Sequence, residues 1–204
     1  MIVAVGNQKG GVGKTTTALT LGHLLKQEGA EVALIDFDAP SSFRKAGNGL
    51  GLHYAEQIGL KAYAPDELPD SIDGHLFMDL PPDAGDAALN LAAGVADAFI
   101  VPTRLDRGDL MVTNAYANLL GEMGVPFKVL ITMVHPNSKS VAAATRSFLS
   151  EHAPVFESFI TSYEVYRDAA EGGSVAGLRT VAGRKATRDY VVLLHELRTW
   201  LNEI

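Results

Sequence analysis

The stretch Gln8 to Thr16, QKGGVGKTT, follows a short β-branched run, IVAVGN, and leads into a segment whose Leu19, Leu21, Leu24 and Leu25 form one helical stripe. A strand, a Gly-rich turn and a helix in immediate succession restrict the possible folds more than any other feature of the chain. Gly10, Gly11 and Gly13 let backbone N–H groups turn toward an anion without steric cost. A helix opening at Lys14 or Thr15 adds the positive end of its dipole. This is the setting of a phosphate-binding loop, in which Lys14 reaches the β- and γ-phosphates, the Thr15 hydroxyl ligates Mg²⁺ and Thr16 meets the α-phosphate. The general pattern G-x-x-x-x-G-K-[ST] fails, however, because position 8 is glutamine. K-G-G-x-G-K-T stands there instead, opened by a second lysine, Lys9.

The rest of the chain repeats the strand–helix alternation. Apolar, β-branched runs at 2–7, 31–38, 75–80, 97–103 and 127–134 read as buried strands. Helical patterns occupy 15–28, 86–95, 108–123 and 138–151, with Gly29 stopping the first and Gly124 and Pro126 the third. Strands without polar alternation suit a sheet covered on both faces. The expectation is an α/β, three-layer fold: a mainly parallel sheet, helices on both faces and right-handed crossovers. Residues 41–74, with glycines at 47, 49, 51 and 59 and prolines at 65 and 69, are less regular and read as a short helix or two. Nothing marks a linker or repeat, so 1–204 is expected to be one domain.

Composition narrows the chemistry. The chain lacks cysteine, which removes disulfides, thiolate metal sites and cysteine nucleophiles. Its six histidines are scattered, and no Ser–His–Asp arrangement emerges. No leader peptide and no apolar run of roughly 20 residues is visible, so the expectation is a cytoplasmic protein. Carboxylates stand where a nucleotide-bound cation would need them. ALIDFDAP puts Asp36 and Asp38 at one strand end and LFMDLPPDAG puts Asp79 at another. Three carboxylates ending apolar strands are costly unless matched to a cation. The other reading is that one of them caps a loop or helix. Asp83, Asp86 and Asp106 fall in loops that could equally be solvated.

K-G-G-x-G-K-T is a deviant phosphate loop and resembles that of the ParA/MinD ATPases, in particular the small ParA partition proteins. VPTRLDRGDL (101–110), VLITMV (129–134) and FITSYEVYRDAAEGGSV (159–175) extend the likeness over most of the chain. The resemblance implies a P-loop NTPase fold, ATP or ADP with Mg²⁺ as ligands, and Mg-dependent ATP hydrolysis. The nucleotide would be cradled by Lys9, Gly10, Gly11, Val12, Gly13, Lys14, Thr15 and Thr16. Lys14 and Asp38 would be catalytic, Asp38 by orienting the water. Thr15, Asp36 and Asp79 would act around Mg²⁺. It assigns Lys9 to the phosphates of a partner subunit in an ATP-dependent homodimer, a cation supplied in trans. The adenine would lie near 160–168. One departure is plain: Ala39-Pro40-Ser41-Ser42 follow Asp38, where the family has Pro-Gln. With the loop starting at residue 9, no helix-turn-helix precedes it, which argues against operator binding.

The C-terminal segment separates the branches of this family. The chain carries a net charge of −7, yet in residues 179–204 five cationic side chains face three acidic ones. At about 100° per residue, Tyr190, Leu194, Leu197 and Leu201 share a helical face, and Arg184, Arg188, His195 and Arg198 cluster on roughly the opposite one; the candidate DNA contacts are Arg184, Lys185, Arg188 and Arg198. That basic face suits weak, sequence-independent DNA binding by a dimer; an ordinary solvated face is the alternative. LHELRTWLNEI carries too little charge for a membrane anchor. The expectation is a partition ATPase that joins nucleoid DNA in the ATP state, meets a ParB-like adaptor and segregates plasmid or chromosomal DNA. The alternatives are a positioning ATPase for a non-DNA cargo, a MinD-like membrane-associated ATPase and a metabolic ligase on the same fold. The ligases lack Lys9, and an iron–sulfur relative would need cysteines.

Overall fold

The apolar runs form a seven-stranded sheet in a computed structural model that describes residues 1–37, 50–67, 71–82, 84–166 and 174–204. In chain order the elements are β1 (Ile2–Val5), α1 (Lys14–Gln27), β2 (Val32–Asp36), α2 (Leu50–Gln57), β3 (Lys61–Tyr63), β4 (His75–Asp79), α3 (Asp86–Val95) and β5 (Ala98–Thr103). They continue with α4 (Arg107–Glu122), β6 (Phe127–Val134), α5 (Lys139–Leu149), β7 (Val155–Thr161) and α6 (Val181–Leu201). The strand order is β3-β2-β4-β1-β5-β6-β7, and each pairing is parallel. The five runs read from the sequence are the five inner strands, four of them trimmed at an end and β6 unchanged. The two strands not foreseen, β3 and β7, are the sheet's edges, where one side faces solvent and the apolar run is short or interrupted by Glu157 and Ser158.

Alternation along each strand sends side chains into two cores. Val3, Val5, Leu34, Phe77 and Ile100 pack under α1, α2 and α6. Ala4, Ile35, Met78, Phe99 and Val101 pack under α3, α4 and α5. The three-layer arrangement follows directly, because each inner strand must bury both faces. The chain reverses its winding around β1, which sits between β4 and β5. Ligands in open α/β sheets bind outside the strand C-termini at such a switch point, and here the glycine-rich turn leaves β1 at that place.

Helix α6 starts at the N-cap Thr180, whose hydroxyl accepts from Gly183 N. It buries Ala186, Tyr190, Leu193, Leu194, Leu197 and Trp200, while Leu201, expected on that face, is half-buried at the fraying end. Its carboxylates also cover the edge of β7. Glu196 accepts from Glu157 N at 2.6 Å and Ser158 N at 3.0 Å, and Asp189 accepts from Thr161 N at 2.9 Å. Open strand N–H groups are thereby satisfied rather than left as a pairing template. Trp200 meets Phe156 edge-on at 5.7 Å, with the Lys128 ammonium 5.2 Å from its ring centre. Trp200→Ala is therefore expected to destabilise the fold by about 3 kcal/mol, read as a lowered midpoint in urea denaturation.

Candidate functional site

The turn out of β1 is held by buried polar contacts. Asn7 donates from Nδ2 to Pro102 O and to Thr113 Oγ1, both at 2.8 Å, and its Oδ1 accepts from Lys9 N at 3.1 Å. Thr113 bonds onward to Thr103 Oγ1 at 2.8 Å, and Thr132 donates to Val12 O at 2.8 Å. The loop is thus fastened at both ends to the tips of β5, β6 and α4. Gly11 (φ 71°) and Gly13 (φ 92°) take left-handed backbone conformations that L side chains rarely adopt. Gly13 N-caps α1, so the helix opens at Lys14 with its N-terminal end at the turn. Lys14 is buried and its Nζ donates to Lys9 O at 3.0 Å, closing the loop on itself.

Two adjoining hollows open beside this loop. The first, about 390 Å³, is lined by Gly10, Gly11, Gly13, Lys14, Thr15 and Thr16 together with Asp79, Leu80, Pro81 and Pro82. The second, about 810 Å³, shares Gly13, Thr16 and Met133 with it and extends between Pro136, Ile160, Tyr163, Tyr166 and Tyr190. The Lys14 ammonium and a helix N-terminus at one end and apolar, aromatic walls at the other match a triphosphate joined to a base. Of the segment 160–168, expected near the adenine, Ile160, Ser162, Tyr163, Glu164 and Tyr166 border the second hollow; 167 and 168 lie outside the described residues. Met133 stands between the hollows with φ 54°, a left-handed backbone rare for a non-glycine residue, at the end of β6.

Asp36 and Asp79 end adjacent strands and face each other in register, each only 4% exposed. Asp79 lines the phosphate-sized hollow with Thr15, while Asp36 does not reach its wall. Thr15 and Asp79 offer hard oxygen donors of the kind Mg²⁺ takes alongside phosphate oxygens and water, so the residues fit the ion. Among the described residues no group of three His, Asp or Glu side chains forms a protein-only metal site. Asp38 and Asp83 lie outside the described residues. Asp86 stands in the first turn of α3, and Asp106 is the N-cap of α4, accepting from Gly108 N at 2.9 Å.

Lys9 does not line the hollow beside its own loop. Its ammonium lies 3.3 Å from Asp109 Oδ1, with the side chain 41% exposed. Asp109 is 1% exposed in the first turn of α4, and its Oδ2 accepts from Arg104 Nε at 2.5 Å. Arg104 holds the Asp109 carboxyl below the ordinary carboxylate range, burial opposes this and Lys9 reinforces it. Asp109 and Arg104 are site residues that sequence reading missed. The available signal was Asp106-x-x-Asp109, acids at the N-cap and third position of a helix. Asn7 gave no comparable signal, because its role depends on strands remote in the chain.

Among the candidate DNA contacts, Arg184, Lys185, Arg188 and Arg198 are all exposed on α6. Arg184 and Arg188, four residues apart, line a shallow hollow with Arg179 and Gln27. Arg198 lies nearer the C-terminal end, its guanidinium bound to Glu28. The structure therefore groups Arg184 and Arg188 with Arg179, which sequence reading had not singled out, and sets Arg198 apart.

Comparison with known proteins matches residues 3–175 to the CobQ/CobB/MinD/ParA nucleotide binding domain. The chain belongs to this ParA/MinD family of ATPases. It is 34% identical over 211 residues to "Maintenance of carboxysome distribution protein A" of Gloeobacter kilaueensis, covering 98% of this chain and 95% of that protein. It is 34% identical over 119 residues to the chromosome-partitioning ATPase Soj of Thermus thermophilus, covering 57% of this chain and 46% of Soj. Among solved structures, a plasmid partition protein of Borrelia burgdorferi bound to AMPPNP superposes with a TM-score of 0.69 at 16% identity, over 100% of this chain and 99% of that one. The shared fold is the P-loop NTPase sheet of MinD- and ParA-type ATPases.

Two outcomes are expected of this ParA/MinD-type site. Asn7→Ala removes three hydrogen bonds and strands buried groups, so stability in urea should fall by about 2–3 kcal/mol. Asp109 contributes stability that is present above its unfolded value of about 3.9 and lost as pH falls through its depressed folded value. Asp109→Asn should accordingly flatten the loss of stability measured in acid below about pH 4.

Proposed function

We propose that residues 1–204 act as a single Mg-dependent ATPase domain that forms an ATP-sandwich dimer, binds DNA without sequence preference and is released on hydrolysis. The observation that carries this reading is the position of Lys9. Its ammonium sits outside the hollow that Lys14 and Thr15 line, so the charge is offered away from the chain's own phosphates and toward a partner's. A cation supplied in trans neutralises charge that develops during phosphoryl transfer. Within one protomer, Lys14 and the α1 N-terminus would hold the phosphates, the tyrosine-walled hollow would orient the base, and Thr15 and Asp79, with Asp36 behind them through water, would hold Mg²⁺, which would supply further charge neutralisation. Asp38, two residues beyond Asp36 in the sequence, takes the water-orienting role the family resemblance implies.

The DNA face is assigned to Arg184, Lys185, Arg188 and Arg198, with Arg179 beside them. Two such patches in a dimer combine weak phosphate contacts. Cycling between bound and released states positions a cargo through a ParB-like adaptor that stimulates hydrolysis, at the nucleoid within the cytoplasm. A plasmid or chromosomal region is one cargo. The likeness to a carboxysome distribution protein, over 98% of this chain and 95% of that one, favours a second, a non-DNA cargo carried by the same cycle. A MinD-like membrane tail fits less well, because the apolar face of α6 is buried against the body.

Lys14→Ala is expected to abolish ATP binding measured by calorimetry, whereas Lys9→Ala should retain binding and lose both dimer formation and turnover; equal loss of ATP affinity in the two variants would overturn the in-trans role. Binding to random-sequence DNA should require ATP–Mg²⁺, weaken as salt rises and disappear when Arg184 and Arg188 are replaced by Gln. DNA binding that persists without nucleotide, or none in any state, would remove DNA as the matrix.

A further inference from the structure

One buried carboxylate serves two cations at the edge of the phosphate loop, and the two are held unequally. Arg104 Nε hydrogen-bonds Asp109 Oδ2 at 2.5 Å. Among the described residues Oδ1 accepts no hydrogen bond, and it lies 3.3 Å from the Lys9 ammonium. Arg104 and Lys9 are each about two-fifths exposed, and Asp109 is fully enclosed. A buried carboxylate left without a partner is heavily penalised. Here that penalty does not arise when Lys9 departs, because the Arg104 hydrogen bond remains and the positive N-terminal end of α4 favours the charge. Lys9 is the exchangeable member of the trio.

We infer that Asp109 is a positioning residue that holds Lys9 in cis in the free protomer, and that Arg104, by competing for the same carboxylate, sets how readily Lys9 is released to a partner's nucleotide. This rests on the in-trans reading of Lys9. The consequence is a dimerisation threshold written into three side chains. Asp109 withholds the lysine, and Arg104 loosens that hold without touching nucleotide. Because Lys9 is partly exposed, its release is worth about threefold per protomer. Both protomers must release it, so the effect on the dimer dissociation constant is roughly tenfold.

The test is the dimer dissociation constant by sedimentation with AMPPNP–Mg²⁺, for wild type, Lys9→Ala, Asp109→Asn, Arg104→Gln and the double variant. Asp109→Asn is expected to tighten the dimer roughly tenfold, and Arg104→Gln to weaken it by a similar factor, since Lys9 then has the carboxylate to itself. The double variant should match Asp109→Asn, because Arg104 acts through Asp109. A purely structural role would move both single variants the same way, and that result overturns the proposal. So does an unchanged dissociation constant in Arg104→Gln, whose partly exposed side chain can be replaced even where Asp109→Asn folds poorly. A wild-type dimer lost in Lys9→Ala but unaffected by Asp109→Asn defeats the holding role alone. A wild type that stays monomeric with AMPPNP–Mg²⁺ defeats the sandwich reading and this inference with it.

Discussion

The buried hydrogen bonds of Asn7 are the constraint on which the site depends. A glycine-rich loop has few side chains with which to pack itself, and Gly10 and Gly11 have nothing within 4 Å of where a Cβ would lie. Its shape must be imposed from outside. Asn7 ties the exit of β1 to Pro102 O and to Thr113 on α4, and Thr132 ties Val12 to β6. Pro102 lies beyond the pairing of β5 with β1, which ends at Ile100, so its missing N–H breaks no bond on that side and its carbonyl is free for Asn7. The loop therefore stays open as an anion receptor without side chains filling it.

Charge is laid out around that receptor by strand ends and helix ends. The carboxylates of Asp36 and Asp79 come side by side because parallel strands in register finish at the same level. The cations Lys14 and Lys9 are separated by the fold of the loop itself. Lys14 turns inward onto Lys9 O, and Lys9 turns outward onto Asp109 at the start of α4. Two lysines five residues apart in sequence thus face different places, one the inside of the loop and the other its outer edge.

Helix α6 connects the two ends of the protein's business. Tyr190 borders the base-sized hollow and its hydroxyl lies 3.3 Å from Thr17 Oγ1 on α1, while Asp189 holds β7, which supplies Ile160 to the same hollow. Arg188 and Arg184 stand two and six residues before Tyr190, on the outer face. The helix is packed too tightly to peel away, since Trp200 and Leu197 are in the core. This packing is why its amphipathic pattern reads as docking on the body rather than as a membrane tail.

Local residue pattern alone determined the inner strands, the helices that follow them and the phosphate loop, because apolar periodicity and glycine placement are short-range properties. QKGGVGKTT carried the family as well, since its second lysine has no use in an ordinary phosphate loop. The edge strands β3 and β7 were not legible: half-exposed strands lose the apolar run that marks buried ones. Nor were Asn7, Arg104 and Asp109, whose partners lie about a hundred residues away or across a strand–helix junction. Which cation meets which carboxylate is a question of distances between elements. Only the packed sheet sets those distances, and it gave Asp109 both Arg104 and Lys9 while binding Arg198 to Glu28.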